Sequence, residues 1–320
     1  WIMRIIIIVI VILFMSISGV TRLVTDYLWF NNLGFEQIFL ITLFSKIKLF
    51  VIAAAVFFLF ATINVWISSK ITEKKKYPFK LKLLIITILS AVIGMGISSE
   101  WFKFLQFINQ TSFNIVDPIF AKDVSFYIFS LPFYQFILGF LMSTVILTTI
   151  LVVLNYLSSF IDIKQTLIKP KVPEDVIPQP SKSFDYKILF TKRKAIAHSG
   201  ILISILFLLL AVKHYLSRFS IMYSEQGIVV GAGYSDVVAY LPMIKIMMFL
   251  AVIMAVLLLI WVFFISKQPK LRKRHIFVYA LAVYFLFGFV GPTIIPEVVQ
   301  ALKVSPNEIN LEKSYIENNI

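Results

Sequence analysis

The chain has 320 residues, 60% of them hydrophobic, and a formal net charge of +14 at pH 7. A soluble domain of this length cannot bury so much apolar surface, because much of a compact domain must face water. The composition therefore excludes an ordinary soluble protein and predicts an integral membrane protein. The sequence contains no cysteine, which excludes disulfides, zinc-thiolate sites and cysteine nucleophiles within it.

Seven apolar stretches have about the 20 residues that a helix needs to cross a bilayer. They are too long for membrane β-strands and lack the alternation of apolar and polar residues that such strands show. The first stretch is also too long for a signal peptide, and no cleavage site follows it. We predict an all-α, polytopic transmembrane bundle of about seven helices within residues 1–298, with spans near 5–24, 49–67, 83–98, 131–157, 195–212, 241–265 and 276–296.

The basic residues indicate the orientation of the bundle. Three alternate gaps, 68–82, 158–194 and 266–275, contain 19 of the 30 Lys and Arg residues. The positive-inside rule makes these gaps cytoplasmic. We therefore expect a multi-pass protein of the cell membrane, with a cytoplasmic N-terminus and an extracytoplasmic C-terminus. Residues 158–194 also contain four prolines and are predicted to form a solvated linker loop.

The clustering of positive charge beside apolar spans also bears on partners. Nucleic-acid binding needs a basic face on a folded soluble module, and the sequence shows no such module. Lysine and arginine next to a span are typical of contact with lipid headgroups. We expect membrane lipids as partners, including anionic lipid at the cytoplasmic loops, and no nucleic acid.

The predicted outer face is rich in aromatic and turn residues. Residues 100–107 (EWFKFLQF) have the spacing of a helix that lies in the membrane interface. Residues 231–233 (GAG) predict a tight turn, because no Gly-Lys-Ser/Thr of a phosphate loop follows. Two outer segments each end in Leu-Pro, which opens the following span. The candidate functional or structural cluster on this face consists of Asp26, Trp29, Glu100, Asp117, Asp123, Arg218 and Asp236.

The acids of this cluster have two interpretations. Carboxylates on one face can act as acids and bases or bind Ca²⁺. They can equally cap helices, form turns or pair with Arg218. None has a diagnostic ligand spacing, so the structural interpretation is favoured, and we expect no catalytic residue, cofactor or metal site in this segment.

The predicted helix centres contain almost no ionisable residues. A charge-coupled transporter normally has an acid near mid-membrane, and none is found here. Neutral polar residues such as Asn64, Ser90, Thr148 and Asn155 are typical of packing seams between helices. These features are compatible with an uncoupled transport path or a lipid-binding groove.

Several motifs together resemble uncharacterised protein family 0182, a group of large bacterial membrane proteins. The resemblance covers essentially the whole chain and implies seven helices followed by a large external domain, with no activity attached. Gly233 and Ser235 depart from the family pattern, where Ser and Thr are expected. The motifs are residues 26–30 (DYLWF), 33–35 (LGF), 117–120 (DPIF), 123–127 (DVSFY), 231–236 (GAGYSD), 304–308 (VSPNE) and 312–320 (EKSYIENNI).

Three functions are therefore compared. The first is a membrane anchor and scaffold for a large extracytoplasmic domain that begins near 299–320, with homo-oligomers or envelope proteins as further partners. The second is an uncoupled transporter or a lipid-handling protein. The third is an envelope enzyme whose chemistry lies mostly in that further domain. The bare helix centres and the structured outer loops favour the first, and Trp1 as the first residue suggests that the sequence starts inside a longer chain.

Overall fold

The computed structural model describes residues 2–72, 77–168, 182–227, 229–267 and 274–320, with the backbone alone described for 2–16, 160–168, 182–191, 265–267 and 274–278. The described chain is all-α, and its one β pairing is an isolated bridge between Val116 and Asp123. The helices are α1 Ile2–Asn32, α2 Glu36–Thr72, α3 Phe79–Ser98, α4 Trp101–Ile108, α5 Leu131–Ile168, α6 Lys182–Ser217, α7 Leu241–Lys267, α8 Arg274–Phe289, α9 Ile295–Val299 and α10 Glu308–Asn319.

Six helical stretches in the described ranges are long and apolar enough to cross a membrane. They match the predicted spans from the second to the seventh, and the all-α membrane bundle is thereby confirmed. The first predicted span, residues 5–24, lies within α1, which is not among these six, so a seventh span stays a prediction. The six stretches are Glu36–Thr72, Phe79–Ser98, Phe126–Ser159, Lys192–Tyr223, Asp236–Phe264 and Tyr279–Asn319.

The helices extend further than the apolar stretches. Helices α1 and α2 form a hairpin in which Gly34 has a φ of 75° and the Phe35 N–H donates to the Phe30 carbonyl at 2.9 Å. Residues 36–48, which precede the predicted span 49–67, thus belong to α2. The two ends of the predicted linker 158–194 are also helical, in α5 and α6, while its four prolines lie outside the described residues.

Four π-helical turns interrupt the helices of the described ranges, and each stands directly before an X-Pro pair. A proline lacks the N–H that an α-helix needs, and its ring crowds the carbonyl four residues back. The N–H of the residue before the proline donates to the carbonyl five residues back, one further than in an α-helix. Examples are the Leu131 N–H to the Phe126 carbonyl and the Leu241 N–H to the Asp236 carbonyl. The Leu-Pro echo seen in the sequence is therefore a shared local geometry. The prolines are Pro132, Pro242, Pro296 and Pro306.

Two of the apolar clusters among the described residues join three or more helices of the bundle. The first joins α2, α3, α5 and α6 around Phe57 and Val152, both fully buried. The second joins α6, α7 and α8 around Ala251 and Ala255, where the Ser204 hydroxyl donates to the Ala255 carbonyl at 2.9 Å. Small residues at this contact let α6 and α7 approach closely, as membrane helices require for tight packing. The remaining apolar side chains mostly face outwards, as expected of a bundle surrounded by lipid.

Candidate functional site

The segment between α4 and α5 folds around the carboxylate of Asp117, whose residue is only 6% exposed. Its Oδ1 accepts the N–H groups of Ile119 at 2.9 Å and Phe120 at 2.6 Å. Its Oδ2 accepts the N–H of Lys122 at 2.8 Å and the hydroxyl of Tyr127 at 2.6 Å. Four donors thus converge on one carboxylate, which fixes the turn that precedes α5.

The hydrogen bonds decide the ionisation state of Asp117. Burial by itself raises the pKa of this carboxyl group, because it disfavours the charged form. The hydroxyl of Tyr127 and the three backbone N–H groups stabilise the carboxylate and outweigh burial, so the net pKa lies below the ordinary value of 3.8. Asp117 is therefore an ionised acceptor at neutral pH and a poor general acid.

Asp123 has the same kind of role a few residues later. Its carboxylate accepts the Ser112 hydroxyl at 2.6 Å and the N–H groups of Ser125 at 2.8 Å and Phe113 at 3.2 Å. The hydrogen bonds from Ser112 and Ser125 hold the pKa of Asp123 well below its usual range. The isolated bridge to Val116 closes the loop across this acid.

A tyrosine pair connects this loop to the segment after α6. The Tyr223 hydroxyl donates to the backbone carbonyl of Tyr127, across 96 positions of sequence. Arg218 stacks nearby, with its Cζ 4.0 Å from the ring centroid of Tyr215 and 4.5 Å from that of Phe219. The sequence suggested Arg218 as an ion-pair partner for an outer acid. In the described structure its planar, weakly hydrated guanidinium instead packs on aromatic faces.

The last helix, α10, is fixed to the turn at 231–236. Glu312 is 3% exposed, and its two carboxylate oxygens accept the backbone N–H of Tyr234 at 3.1 and 3.2 Å. Asp236, 4% exposed, accepts the N–H of Gly233 at 3.0 Å. A Cβ on Gly233 would lie 3.3 Å from both oxygens of Glu312, so the turn approaches the helix closely because glycine is present.

A second set of contacts secures the far end of α10. Asn319 donates to the Ala232 carbonyl at 3.3 Å and packs against Gly231, whose φ of 140° favours glycine. The rings of Tyr234 and Tyr315 meet edge to face at 6.2 Å. The predicted tight turn at 231–233 is therefore present, and it is in close contact with α10.

The two loops and α10 form one surface, here called the loop platform: residues 109–125, 218–227, 229–236 and α10. Ile119 and Phe120 from the first loop pack against the cluster of Ile221, Ala232 and Leu241. The candidates Asp117, Asp123, Arg218 and Asp236 all lie in this platform. Distant parts of the sequence thus meet at one end of the bundle.

Three other candidates lie outside the loop platform. Asp26 is in α1, and Trp29 contacts Phe30 edge to face at 5.0 Å. Glu100 pairs with Lys103 at 2.9 Å across one turn at the start of α4, with both side chains exposed. The predicted interfacial helix is present as α4, where Phe107 stacks on Phe133 of α5 at 4.3 Å.

Sequence reasoning did not select Tyr127, Tyr223 or Glu312 as site residues. Each completes the hydrogen bonding of a partner that lies far away in sequence or on another element. The available signal was weak: Tyr127 and Glu312 stand within motifs, 123–127 and 312–320, that carry the family resemblance.

Polar side chains also join the helices inside the bundle. His198 of α6 hydrogen-bonds the Tyr156 hydroxyl at 2.8 Å through Nδ1 and the Asn64 Oδ1 at 3.0 Å through Nε2. Asn155 of α5 donates to the Ser68 hydroxyl at 2.8 Å. The neutral polar residues thus serve as seams between α2, α5 and α6, as their composition predicted.

The chemistry open to the loop platform is limited. The carboxylates of Asp117, Asp123, Asp236 and Glu312 accept backbone N–H or hydroxyl donors, which suits them to shape turns. Among the described residues, no group of three or more His, Cys, Asp or Glu side chains could hold a metal ion. The geometry is that of two loops packed together, with α10 held against the turn at 231–236.

Comparisons with known proteins agree with this architecture. The model of the uncharacterised protein family (UPF0182) matches residues 3–320. A UPF0182 protein of Clostridium perfringens (strain SM101 / Type A) is 32% identical over 98% of this chain and 33% of its own length. A UPF0182 protein of Methanospirillum hungatei JF-1 is 29% identical over 94% of the chain and 32% of its own length.

The chain thus spans about a third of the length of the curated relatives that it matches. No solved structure matches it. The match over nearly every residue, together with the helical bundle, places this chain in the uncharacterised protein family UPF0182.

Proposed function

We propose that this chain is the membrane anchor and scaffold of a large extracytoplasmic domain. The bundle lies in the cell membrane with its N-terminus in the cytoplasm, and the loop platform is on the outer face. The proposal concerns the whole protein, of which the matched relatives are about three times as long as this chain.

The observation that carries the proposal is the seating of α10. A helix that merely ended a membrane span would need no contact with a distant loop. Here Glu312 and Asn319 bond the turn at 231–236 from two ends of the helix. Such seating fixes the direction in which the following chain leaves the membrane, which is the property that a scaffold needs.

The charge distribution supports the sidedness. The lysine-rich gaps follow the C-terminal ends of α2, α5 and α7. Because successive spans run in opposite directions, these three ends lie on the same side of the bundle. The loop platform precedes α5 and α7 and therefore lies at the other side. Positive residues beside membrane spans remain in the cytoplasm, so the loop platform faces outwards.

Labelling of the full-length protein in intact cells tests the orientation. The 320-residue sequence has no cysteine. Once any cysteines in the rest of the full-length protein are replaced, a single introduced cysteine is therefore the only site that the label can modify. We expect a membrane-impermeant maleimide to label Asn31→Cys and Tyr223→Cys in intact cells, and Lys75→Cys only after permeabilisation. The reverse pattern would refute the proposal.

Site-specific proteolysis tests the anchor itself. A protease site inserted directly after Ile320 in the full-length protein is cut from outside in intact cells. We expect the C-terminal part to leave the membrane fraction after cutting, while the uncut protein stays there. A part that stays membrane-bound after complete cutting and a carbonate wash would show that this bundle is not its anchor.

A further inference from the structure

A groove of about 170 Å³ opens between α3 and α5, at the end of the bundle opposite the loop platform. Its walls are almost wholly apolar and include Ile85, Leu151 and Leu154. Ile85 and Leu154 are 44% and 56% exposed, so the groove opens sideways towards the surrounding lipid. The space is several times the ~30 Å³ that one water molecule occupies, and its apolar lining suits a hydrocarbon chain.

One end of the groove is polar. Lys82 lies there, with its ammonium group 2.6 Å from Asn155 Oδ1 and 3.0 Å from the Ser69 hydroxyl. Asn155 is fixed in turn by its bond to Ser68. These contacts hold the lysine side chain at the mouth of the groove, beside Tyr77 and Ser158.

The depth of these groups matches a phospholipid. Lys82 lies in the first turn of α3, at the level where a span leaves the hydrocarbon region. Ile86 is one turn deeper, about 6 Å along the helix, and Leu151 lies about 10 Å deeper than Ser158. A molecule that fills the site therefore has a charged group at the interface and an apolar tail beneath it.

The surrounding charge determines the sign of that group. The segment 68–82 contains six lysines and one acid. Lys80 is exposed on the same turn as Lys82, and Lys70 lies over the Trp66 ring at 4.4 Å. Such a basic rim attracts anionic headgroups.

We propose that this groove is a binding site for one anionic phospholipid, with its phosphate at Lys82 and one acyl chain along Ile85, Leu151 and Leu154. The phosphate adds to the contacts that Lys82 already makes and does not replace them. The site does not depend on what the loop platform anchors, so it stands independently of the proposed function.

Lipid binding to the purified protein tests the site. Native mass spectrometry measures retention of phosphatidylglycerol and phosphatidylcholine added at equal concentration. We expect phosphatidylglycerol to bind the wild-type protein at least fivefold more tightly. Lys82→Met should reduce that affinity on the order of fivefold, as loss of one basic residue at a membrane surface does. Leu154→Trp, which fills the groove, should reduce it by at least as much.

Matched controls lie on the same helices. Lys80→Met removes an exposed lysine beside the groove, and Leu157→Trp enlarges a side chain that is 52% exposed and does not line it. Leu157→Trp should bind like the wild type, Lys80→Met should lose less affinity than Lys82→Met because Lys80 contributes only to the basic rim, and Lys82→Arg should keep the preference for phosphatidylglycerol. Thermal unfolding without added lipid shows that each variant is folded.

Each pattern of results decides the proposal. Loss in Lys82→Met and Leu154→Trp, with Leu157→Trp unchanged and Lys80→Met less affected than Lys82→Met, supports it. Loss in Lys82→Met alone would place the lipid on the surface and outside the groove. Loss in Leu154→Trp alone, or equal binding of the two lipids by the wild type, would show an apolar crevice without headgroup recognition. Either of these results, or no loss in any variant, overturns the proposal.

Discussion

Replacement of Glu312 by leucine should detach α10 from the turn at 231–236. The leucine side chain occupies a similar volume but cannot accept the Tyr234 N–H that now lies 3.1 and 3.2 Å from the two carboxylate oxygens. A hydrogen bond to a charged acceptor contributes about 1.5–3 kcal/mol, and the abandoned N–H would be poorly solvated. We expect a loss of about 2 kcal/mol in the free energy of local opening, which is roughly a 30-fold larger opening constant.

Hydrogen exchange measured by mass spectrometry on peptides from α10 reports this constant directly. The matched control is Glu317→Gln, because Glu317 lies on the same helix and is exposed. Glu312→Gln should fall between the two: it keeps one acceptor oxygen, and it removes a charge from the neighbourhood of Asp236. Equal exchange in Glu312→Leu and Glu317→Gln would refute the docking role of Glu312.

Four further predictions concern the loop platform and the helix seams. Tyr127→Phe should destabilise the loop at 109–125 by about 1.5–3 kcal/mol, since it removes a 2.6 Å bond to the Asp117 carboxylate, and faster exchange in that loop measures it. Because the folded pKa of Asp117 is lowered, its stabilisation is complete above the ordinary value of 3.8 and is lost as pH falls below it. Protection of the loop amides, corrected for the intrinsic pH dependence of amide exchange, should therefore fall in acid, and Asp117→Asn should flatten that dependence; equal slopes would contradict it. Gly233→Ala places a Cβ 3.3 Å from the Glu312 oxygens and should loosen α10 in the same exchange assay, whereas unchanged exchange would show that the carboxylate can shift freely. His198→Leu should lower the thermal unfolding temperature in detergent, because the Tyr156 hydroxyl and the Asn64 side-chain oxygen lose their shared partner. An unchanged temperature would mean that these two hydrogen bonds contribute no net stability.

The candidate site was recoverable from the sequence only in part. Asp117, Asp123 and Asp236 stand in turn-rich motifs between spans, and local composition is enough to select them. Asp26 and Glu100 have the same local character, but Asp26 lies on α1 and Glu100 lies in the turn before α4, where the surroundings differ. What separates the two groups is whether distant donors such as Tyr127 converge on the carboxylate, and no local pattern contains that information.

For a related reason, the sequence did not show which helices pack against each other. In a soluble helix, the apolar stripe marks the face that packs against the core. In this chain, the face of α2 that contains buried Phe57 and the face that contains exposed Leu59 are both apolar, since lipid and protein interior favour the same residue types. Periodicity therefore locates the spans without showing which helices meet.

The sequence by itself determined the class of this protein, because long apolar stretches and alternating basic gaps follow directly from the cost of placing polar and charged groups in hydrocarbon. It also located the turns, since glycine and proline act through their own backbone geometry. Only the tertiary structure decided that Glu312 meets Tyr234 and that Lys82 stands at the mouth of an apolar groove. Tyr234 and Glu312 lie 78 positions apart in the sequence, and Lys82 and its partner Asn155 lie 73 positions apart. Both contacts form only when the helices pack in three dimensions.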